Sequence, residues 1–192
     1  MNETIAQAKS QLRAEVRRRL KELPAAAQAS ASDKICERLR HSEPWRAARS
    51  VFCFAPLAGE PDVWPLLAEA LSKGKQIALP RFDAATGSYV ACLVRDLGTD
   101  LQSGRFGIRE PNIYCPVLPV NRLDLTLVPG VAFDLRGRRL GRGKGYYDRL
   151  LTDARGMTCG VAFDEQIVAD IPREPHDIPL TCILTPTRWI EP

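Results

Sequence analysis

The chain has 192 residues, of which 45% are hydrophobic and 26% charged, and its formal net charge is +4 at pH 7. This length and composition can bury one substantial core, so residues 1–192 are expected to form a single domain. The start lacks the features of a secretion leader, and no apolar run approaches the roughly 18 residues that a membrane helix needs. We therefore expect a cytoplasmic protein without a membrane partner, and we expect it to be a monomer.

Hydrophobic periodicity predicts helices and strands that alternate along the chain. Helices are expected at residues 4–22, 29–41 and 63–72 and from near Tyr146 and Glu165, and strands at 50–54, 76–79, 89–94, 124–128, 158–163 and 182–184. This alternation predicts an α/β fold with three layers, α/β/α, and a mainly parallel, Rossmann-like sheet that is covered on both faces. Ligands of such sheets bind beyond the carboxyl ends of the strands.

The first predicted helix carries two cations on its apolar side. Lys9 falls within the apolar arc, and Arg13 lies one turn further along at the edge of that arc. Their aliphatic stems could cover apolar surface while the charges reach water, or the two cations could contact an anion. A candidate phosphate-binding segment elsewhere in the chain favours the anion.

That segment is residues 137–149, Gly-Arg-Arg-Leu-Gly-Arg-Gly-Lys-Gly-Tyr-Tyr-Asp-Arg. Its glycines let backbone N–H groups approach an anion closely, and Arg142 and Lys144 add charge and donors. It leads into the helix predicted from Tyr146, whose free N–H groups add the positive end of the helix dipole. A polyphosphate is the expected ligand.

The segment does not match the usual nucleotide fingerprints. In a Walker A loop, Arg138 would have to be glycine and Gly145 would have to be serine or threonine. In the Rossmann fingerprint, Tyr146 stands where the third glycine is required.

Two carboxylates are candidate metal ligands. Asp148 follows the last glycine of the segment by three residues, and it either coordinates Mg²⁺ beside a nucleoside triphosphate or complements the helix dipole. Asp177 lies next to His176 in a proline-bounded loop, and it would join a metal site only if the fold brings it to Asp148. His176 is either an acid or base or an inert loop residue.

Two further residues are candidates for contact with a flat heterocycle. Glu60 follows the first predicted strand, so its carboxylate could accept paired hydrogen bonds from an amino-heterocycle, although an ordinary turn acid fits equally well. Phe106 lies in a glycine-containing turn, where its ring could stack on a ligand or pack in the core.

The cysteines and histidines give no sign of disulfides or zinc. Cys53, Cys92, Cys159 and Cys182 lie in apolar, strand-like runs, and the sequence contains no Cys-x-x-Cys pair. Buried reduced thiols are therefore expected, and zinc is not. The cations are not accompanied by an RNP-like aromatic motif or a helix-turn-helix pattern, so no nucleic-acid partner is expected.

With these residues located, the chain resembles the 5-formyltetrahydrofolate cyclo-ligase (methenyltetrahydrofolate synthetase) family over nearly its whole length. The matching segments are residues 9–13, Glu60, and residues 79–81, 106–111, 128–134 and 139–148. The last segment is the most specific of these. The family commonly has Trp where Phe106 stands here.

The resemblance implies a three-layer α/β fold and an enzyme that converts 5-formyltetrahydrofolate, with ATP as co-substrate and Mg²⁺ as cofactor, to 5,10-methenyltetrahydrofolate, ADP and phosphate. ATP would phosphorylate the formyl oxygen, and N10 of the folate would then attack the carbon before phosphate departs. No enzyme nucleophile is required. The protein positions the reactants and stabilises negative charge.

The resemblance also implies individual roles. ATP-binding roles fall on Lys9, Arg13, Arg139, Gly141, Arg142, Gly143, Lys144, Gly145, Tyr146 and Tyr147. Folate-binding roles fall on Ala55, Glu60, Phe106, Arg142 and Tyr146. The catalytic cations are Arg142 and Lys144, and the metal ligands are Asp148 and Asp177.

Three other functions fit parts of the pattern: a non-catalytic nucleotide or phosphate sensor, an RNA-binding protein and a sugar-phosphate isomerase. A sensor could lose Asp148 or Asp177 without penalty, yet both are present. An RNA-binding protein would need exposed aromatic rings near its cations. An isomerase would not need ATP. The folate enzyme is the leading hypothesis.

Overall fold

The computed structural model describes residues 4–104, 107–174 and 177–192. Its α-helices are Ile5–Glu22 (α1), Ala25–His41 (α2), Glu43–Ala47 (α3), Trp64–Ser72 (α4) and Tyr146–Thr152 (α5). Its strands are Ser50–Phe52 (β1), Gln76–Asp83 (β2), Ser88–Val94 (β3), Leu101–Ser103 (β4), Arg109–Pro111 (β5), Leu125–Val128 (β6), Ala132–Asp134 (β7), Arg139–Leu140 (β8), Met157–Val161 (β9), Ile167–Val168 (β10), Cys182–Leu184 (β11) and Trp189–Ile190 (β12).

The main sheet has seven strands in the order β12-β11-β9-β6-β1-β2-β3. Its inner pairs β11/β9, β9/β6, β6/β1 and β1/β2 are parallel, which confirms the mainly parallel sheet. The edge strands β3 and β12 pair antiparallel, because each follows its neighbour through a short turn that leaves no room for a crossover helix. The smaller sheets are β10-β7-β8 and β4-β5.

Both faces of the main sheet are covered. Val51 and Cys53 lie in the hydrophobic cluster that α2, α3 and α4 form with one face. Phe52, between them, lies in the cluster on the opposite face with Leu150 of α5, as the alternation of side chains along a strand requires. Phe133 of β7 packs with α5 on that second face. Full burial of a side chain such as Phe52 stabilises the fold by roughly 1.5–3 kcal/mol.

Helix α1 reaches the glycine-rich segment 137–149 through the small sheet β10-β7-β8. Its buried Val16 clusters with Ala132 of β7 and Leu140 of β8. Thr4 caps the helix, and its side chain accepts a hydrogen bond from the Gln7 amide. This packing fixes the helix face that carries Lys9 and Arg13 beside β8.

The helix expected from near Glu165 is wrong. Residues 164–166 form a single turn of 3-10 helix, and β10 begins directly afterwards. Gln166 explains the early end, because its buried side-chain amide donates to the carbonyls of Gly130 and Val131 and accepts from the Phe163 amide. The strand predicted at 50–54 ends at Phe52, and the second helix begins at Ala25, four residues earlier than predicted.

All six cysteines are buried and form no disulfide, which confirms the expectation of reduced thiols. Burial raises the pKa of Cys36 and of Cys92 to about 11, so these thiols stay protonated at neutral pH. Within the described residues, no helix combines the length and apolar character that crossing a membrane requires.

Candidate active site

A cavity of about 510 Å³ lies beyond the carboxyl ends of β1 and β6, where the fold class predicts ligands. Phe54 and Ala55 follow β1, and Pro129 and Gly130 follow β6. The remaining lining residues are Leu57, Ala58, Glu60, Pro80, Tyr89, Ile108, Arg139, Gly141, Arg142, Lys144, Gly145, Tyr146, Tyr147 and Asp148. The fold therefore brings most of the predicted site residues to one cavity.

The segment between β8 and α5 depends on its glycines. Gly143 has φ +93° and Gly145, the N-cap of α5, has φ +65°, in the region that disfavours residues with a Cβ. Gly141 matters for a different reason: a Cβ there would lie 2.8 Å from a guanidinium nitrogen of Arg139, so that guanidinium would have to shift. The backbone therefore approaches the cavity without side chains at these positions.

Arg13 lies against this segment. Its Nε donates to the carbonyl oxygen of Gly141 at 2.9 Å. A Cβ at Gly143 would lie 3.7 Å from its guanidinium carbon. The side chain of Arg13 therefore supports the loop and brings positive charge beside it, which agrees with the anion-contact interpretation of helix α1.

Lys9 is held by two carboxylates. Its Nζ lies 2.7 Å from Glu174 Oε2 and 2.7 Å from Asp177 Oδ2, and its side chain is only 8% exposed. Burial alone would lower the pKa of Lys9, but the hydrogen bonds with Asp177 and Glu174 outweigh it and the pKa is raised. Snorkelling into solvent is excluded. A predicted ATP-binding cation and a predicted metal ligand are paired with each other.

A second such pair joins Arg139 and Asp148. Arg139 Nη2 lies 2.7 Å from Asp148 Oδ1, and the Arg139 side chain is 4% exposed. The guanidinium also stands 5.7 Å from the centre of the Tyr147 ring. Desolvation raises the pKa of the Tyr147 phenol well above its usual value, and the Glu60 carboxylate adds to this rise.

The third pair joins Glu60 and Arg142 across the cavity. Glu60 Oε1 accepts from Arg142 Nη2 at 2.7 Å and from Arg142 Nε at 3.3 Å, while Oε2 accepts from the Leu57 amide at 3.0 Å. The Glu60 side chain is 8% exposed and that of Arg142 is 51% exposed. Glu60 is therefore a buried acid that faces the ligand space and not a solvated turn residue.

One wall of the site is aromatic. The rings of Tyr89 and Tyr146 meet edge to face at 5.0 Å, and Phe82 contacts both. Tyr89 and Phe82 were not predicted as site residues; they face each other across the β2–β3 hairpin. Each of them stands one residue outside the turn that Asp83 and Ser88 bound, and this spacing is the sequence signal that could have identified the pair. Phe106 and His176, the other candidates, lie outside the described residues.

The donors around Asp148 suit Mg²⁺. This ion is usually bound by one or two carboxylates together with phosphate oxygens and water, so a single carboxylate that lines the cavity is sufficient as its protein ligand. Asp148 lines the cavity, whereas Asp177 does not, and its Oδ2 also accepts from the Glu174 amide at 2.8 Å. The described residues contain no cluster of three or more His, Cys, Asp or Glu side chains placed to bind a metal.

A family model described as the 5-formyltetrahydrofolate cyclo-ligase family matches residues 5–186. The chain belongs to this family. The 5-formyltetrahydrofolate cyclo-ligase of Escherichia coli K12 is 33% identical over 177 residues, which cover 90% of this chain and 97% of that protein. The cyclo-ligase of Mycolicibacterium smegmatis is 36% identical over 149 residues, covering 75% of this chain and 77% of that protein.

Solved structures of the same kind share the fold. The NMR structure of Aquifex aeolicus 5,10-methenyltetrahydrofolate synthetase is 34% identical with a TM-score of 0.86, covering 95% of this chain and 92% of that chain. The Mycoplasma pneumoniae synthetase, at 21% identity, has a TM-score of 0.75 and supports the fold alone. The chain is thus an enzyme of the cyclo-ligase family, as the resemblance implied.

Proposed function

We propose that the chain converts 5-formyltetrahydrofolate into 5,10-methenyltetrahydrofolate, consuming ATP in the presence of Mg²⁺ and releasing ADP and phosphate. The observation that carries the proposal is the convergence of Glu60 and the cationic loop on one cavity of about 510 Å³. One cavity can therefore hold an amino-heterocycle and a polyphosphate side by side, which the reaction requires. Family membership supports the same activity.

Glu60 orients the folate. Its buried carboxylate can accept two hydrogen bonds from the amino and ring N–H groups of the pterin. Ala55 and Ile108 line the cavity with apolar surface, and Tyr89 and Tyr146 supply ring edges. The pterin is then fixed so that its formyl group faces the phosphate loop.

Arg142 and Lys144 act on the phosphoryl group. The formyl oxygen attacks the γ-phosphorus and the bond to the β-phosphate oxygen breaks, which gives ADP and a phosphorylated formyl group. N10 then attacks the formyl carbon, its proton is lost, and the carbon–oxygen bond breaks to release phosphate. Cations and backbone N–H groups stabilise the negative charge that spreads over the phosphoryl oxygens.

Asp148 is the residue of the cavity that would hold Mg²⁺, and Asp177, which lies outside the cavity lining, would have to turn toward the ion to serve as a second ligand. The ion would neutralise charge on the phosphate oxygens when it is bound. Asp148 and Asp177 each accept from a cation in the structure, Arg139 and Lys9 respectively. We infer that these cations turn to the phosphates as the carboxylates turn to the metal.

The proposal is tested by following the near-ultraviolet absorbance of 5-formyltetrahydrofolate mixed with the purified protein. The methenyl product should accumulate only when ATP and Mg²⁺ are both present, and omission of either should abolish the rise. No rise in the complete mixture, with ATP binding still measurable by calorimetry, would contradict the proposal and favour a nucleotide sensor.

A further inference from the structure

Glu60 and Arg142 form an ion pair with each other in the structure, although the proposed function assigns them to different substrates. Both contacts of the guanidinium fall on one oxygen, Oε1, at 2.7 and 3.3 Å. The other oxygen, Oε2, accepts only the Leu57 amide among the contacts of the described residues, at 3.0 Å. A carboxylate oxygen offers about two acceptor sites. Oε1 is therefore saturated by Arg142.

A pterin cannot engage Glu60 fully while Arg142 stays on Oε1. Its amino group and the neighbouring ring N–H are parallel donors, which pair with both oxygens of one carboxylate. Oε2 has room for a second donor, but Oε1 has none. Arg142 must leave Oε1 before the paired hydrogen bonds can form.

Burial makes this exchange nearly obligatory in both directions. The side chain of Glu60 is 8% exposed, and a buried carboxylate without a partner is strongly destabilised. It therefore retains Arg142 until the donors of a ligand replace the guanidinium. Arg142 is free to move, because its side chain is 51% exposed and it stands between Gly141 and Gly143.

We propose that folate binding releases Arg142 from Glu60 and makes it available to the phosphates of ATP, so that the two substrates bind cooperatively. This inference rests on the proposed function. Before the folate binds, the nucleotide would meet Lys144, whose ammonium has no carboxylate partner among the described residues. The phosphate-binding set would be complete only after the acceptor of the phosphoryl group is in place.

The coupling is measurable by calorimetry without turnover. The wild-type protein would be titrated with the Mg²⁺ complex of the β,γ-imido analogue of ATP, in the absence and in the presence of saturating 5-formyltetrahydrofolate. The folate should tighten binding of the analogue by a factor of about 5 to 150, the usual range for coupled sites. The reciprocal titration should give the same factor, because linkage is symmetric.

The Arg142→Met variant tests whether the coupling depends on the release of Arg142. The variant should bind the analogue alone as the wild type does, because Arg142 is then occupied by Glu60. It should bind the folate alone more tightly, since no ion pair has to break, and its coupling factor should fall to about one. Arg136→Met is the matched control: Arg136 is exposed, pairs with Asp170 and does not line the cavity, so this variant should retain the coupling.

Independent binding of the two ligands to the wild type would overturn the inference alone. So would full coupling in Arg142→Met, or a loss of analogue affinity in that variant without folate, which would place Arg142 on the nucleotide from the start. Failure of the wild type to bind either ligand would overturn the proposed function and this inference with it. Cooperative thermal unfolding of each of the three proteins establishes that all are folded.

Discussion

The amino ends of the parallel strands form one side of the main sheet, the amino edge, and their carboxyl ends form the opposite side, the carboxyl edge. The cavities at these two edges differ in chemistry more than in size. The amino edge carries an open groove of about 810 Å³, lined by residues that include Arg38, His41, Met157 and Trp189. The carboxyl edge carries the smaller cavity of about 510 Å³, yet only this cavity contains the glycine-rich loop and its cations. Convergent charge and exposed backbone therefore favour the smaller cavity as the candidate site, although the groove has the larger volume.

The largest expected effect is at the carboxyl edge. Lys144→Ala should lower kcat/KM by about 100-fold or more, because it removes a cation that we propose stabilises the phosphoryl group. Its melting temperature should stay within a few degrees of the wild type, since the side chain is exposed. His41→Ala in the amino-edge groove is the control and should retain full activity. Equal losses in both variants would break the comparison between the edges.

The next effect concerns the metal. Asp148→Asn should raise the Mg²⁺ concentration for half-maximal rate by roughly tenfold, because a neutral amide replaces an anionic oxygen ligand. The Arg139 contact can persist, as the amide oxygen still accepts a hydrogen bond. A titration of initial rate against Mg²⁺ measures the change. An unchanged curve would remove Asp148 from the metal site.

Two glycines with similar backbone angles sharpen the comparison further. Gly143 (φ +93°) lies at the carboxyl edge, and Gly74 (φ +80°) precedes β2 at the amino edge. A Cβ at either position meets no atom closer than 3.7 Å, so alanine acts through the backbone. Each variant should lose about 1–2 kcal/mol in urea unfolding. Only Gly143→Ala should also lose activity; a similar activity loss in Gly74→Ala would contradict the assignment.

The smallest effect is at the amino edge. Asp124 accepts hydrogen bonds from Ser50 and from the Arg49 amide, and these lower its pKa. Its stabilising contribution is present above the ordinary carboxyl pKa and is lost as pH falls through the lowered value. Asp124→Asn should therefore flatten the acid limb of the stability–pH curve slightly and leave kcat/KM unchanged. An altered kcat/KM would link the amino edge to catalysis.

Local patterns were sufficient to predict much of the fold. The apolar periodicity of α1 and the short apolar runs of β6 and β9 gave the elements close to their observed bounds. The glycine-rich segment between strand and helix gave the position of the site. The strand at 89–94 was predicted, but its antiparallel pairing at the edge of the sheet was not, because periodicity does not report strand direction.

The pairing of the site residues could not be predicted from the sequence. Lys9 and Asp177 are 168 positions apart, and Glu60 and Arg142 are 82 positions apart, so only the folded chain shows that they neutralise each other. The helix expected from near Glu165 fails for a similar reason. The Gln166 amide satisfies carbonyls 35 and 36 residues away, and this tertiary contact ends the turn.

The most direct test follows the formyl oxygen itself. 5-Formyltetrahydrofolate labelled with ¹⁸O in the formyl group would be converted by the wild-type protein with ATP and Mg²⁺, and the released phosphate would be analysed by mass spectrometry. Phosphoryl transfer to the formyl oxygen in this cavity predicts one ¹⁸O atom in each phosphate. Unlabelled phosphate, with the label lost to water, would contradict the account.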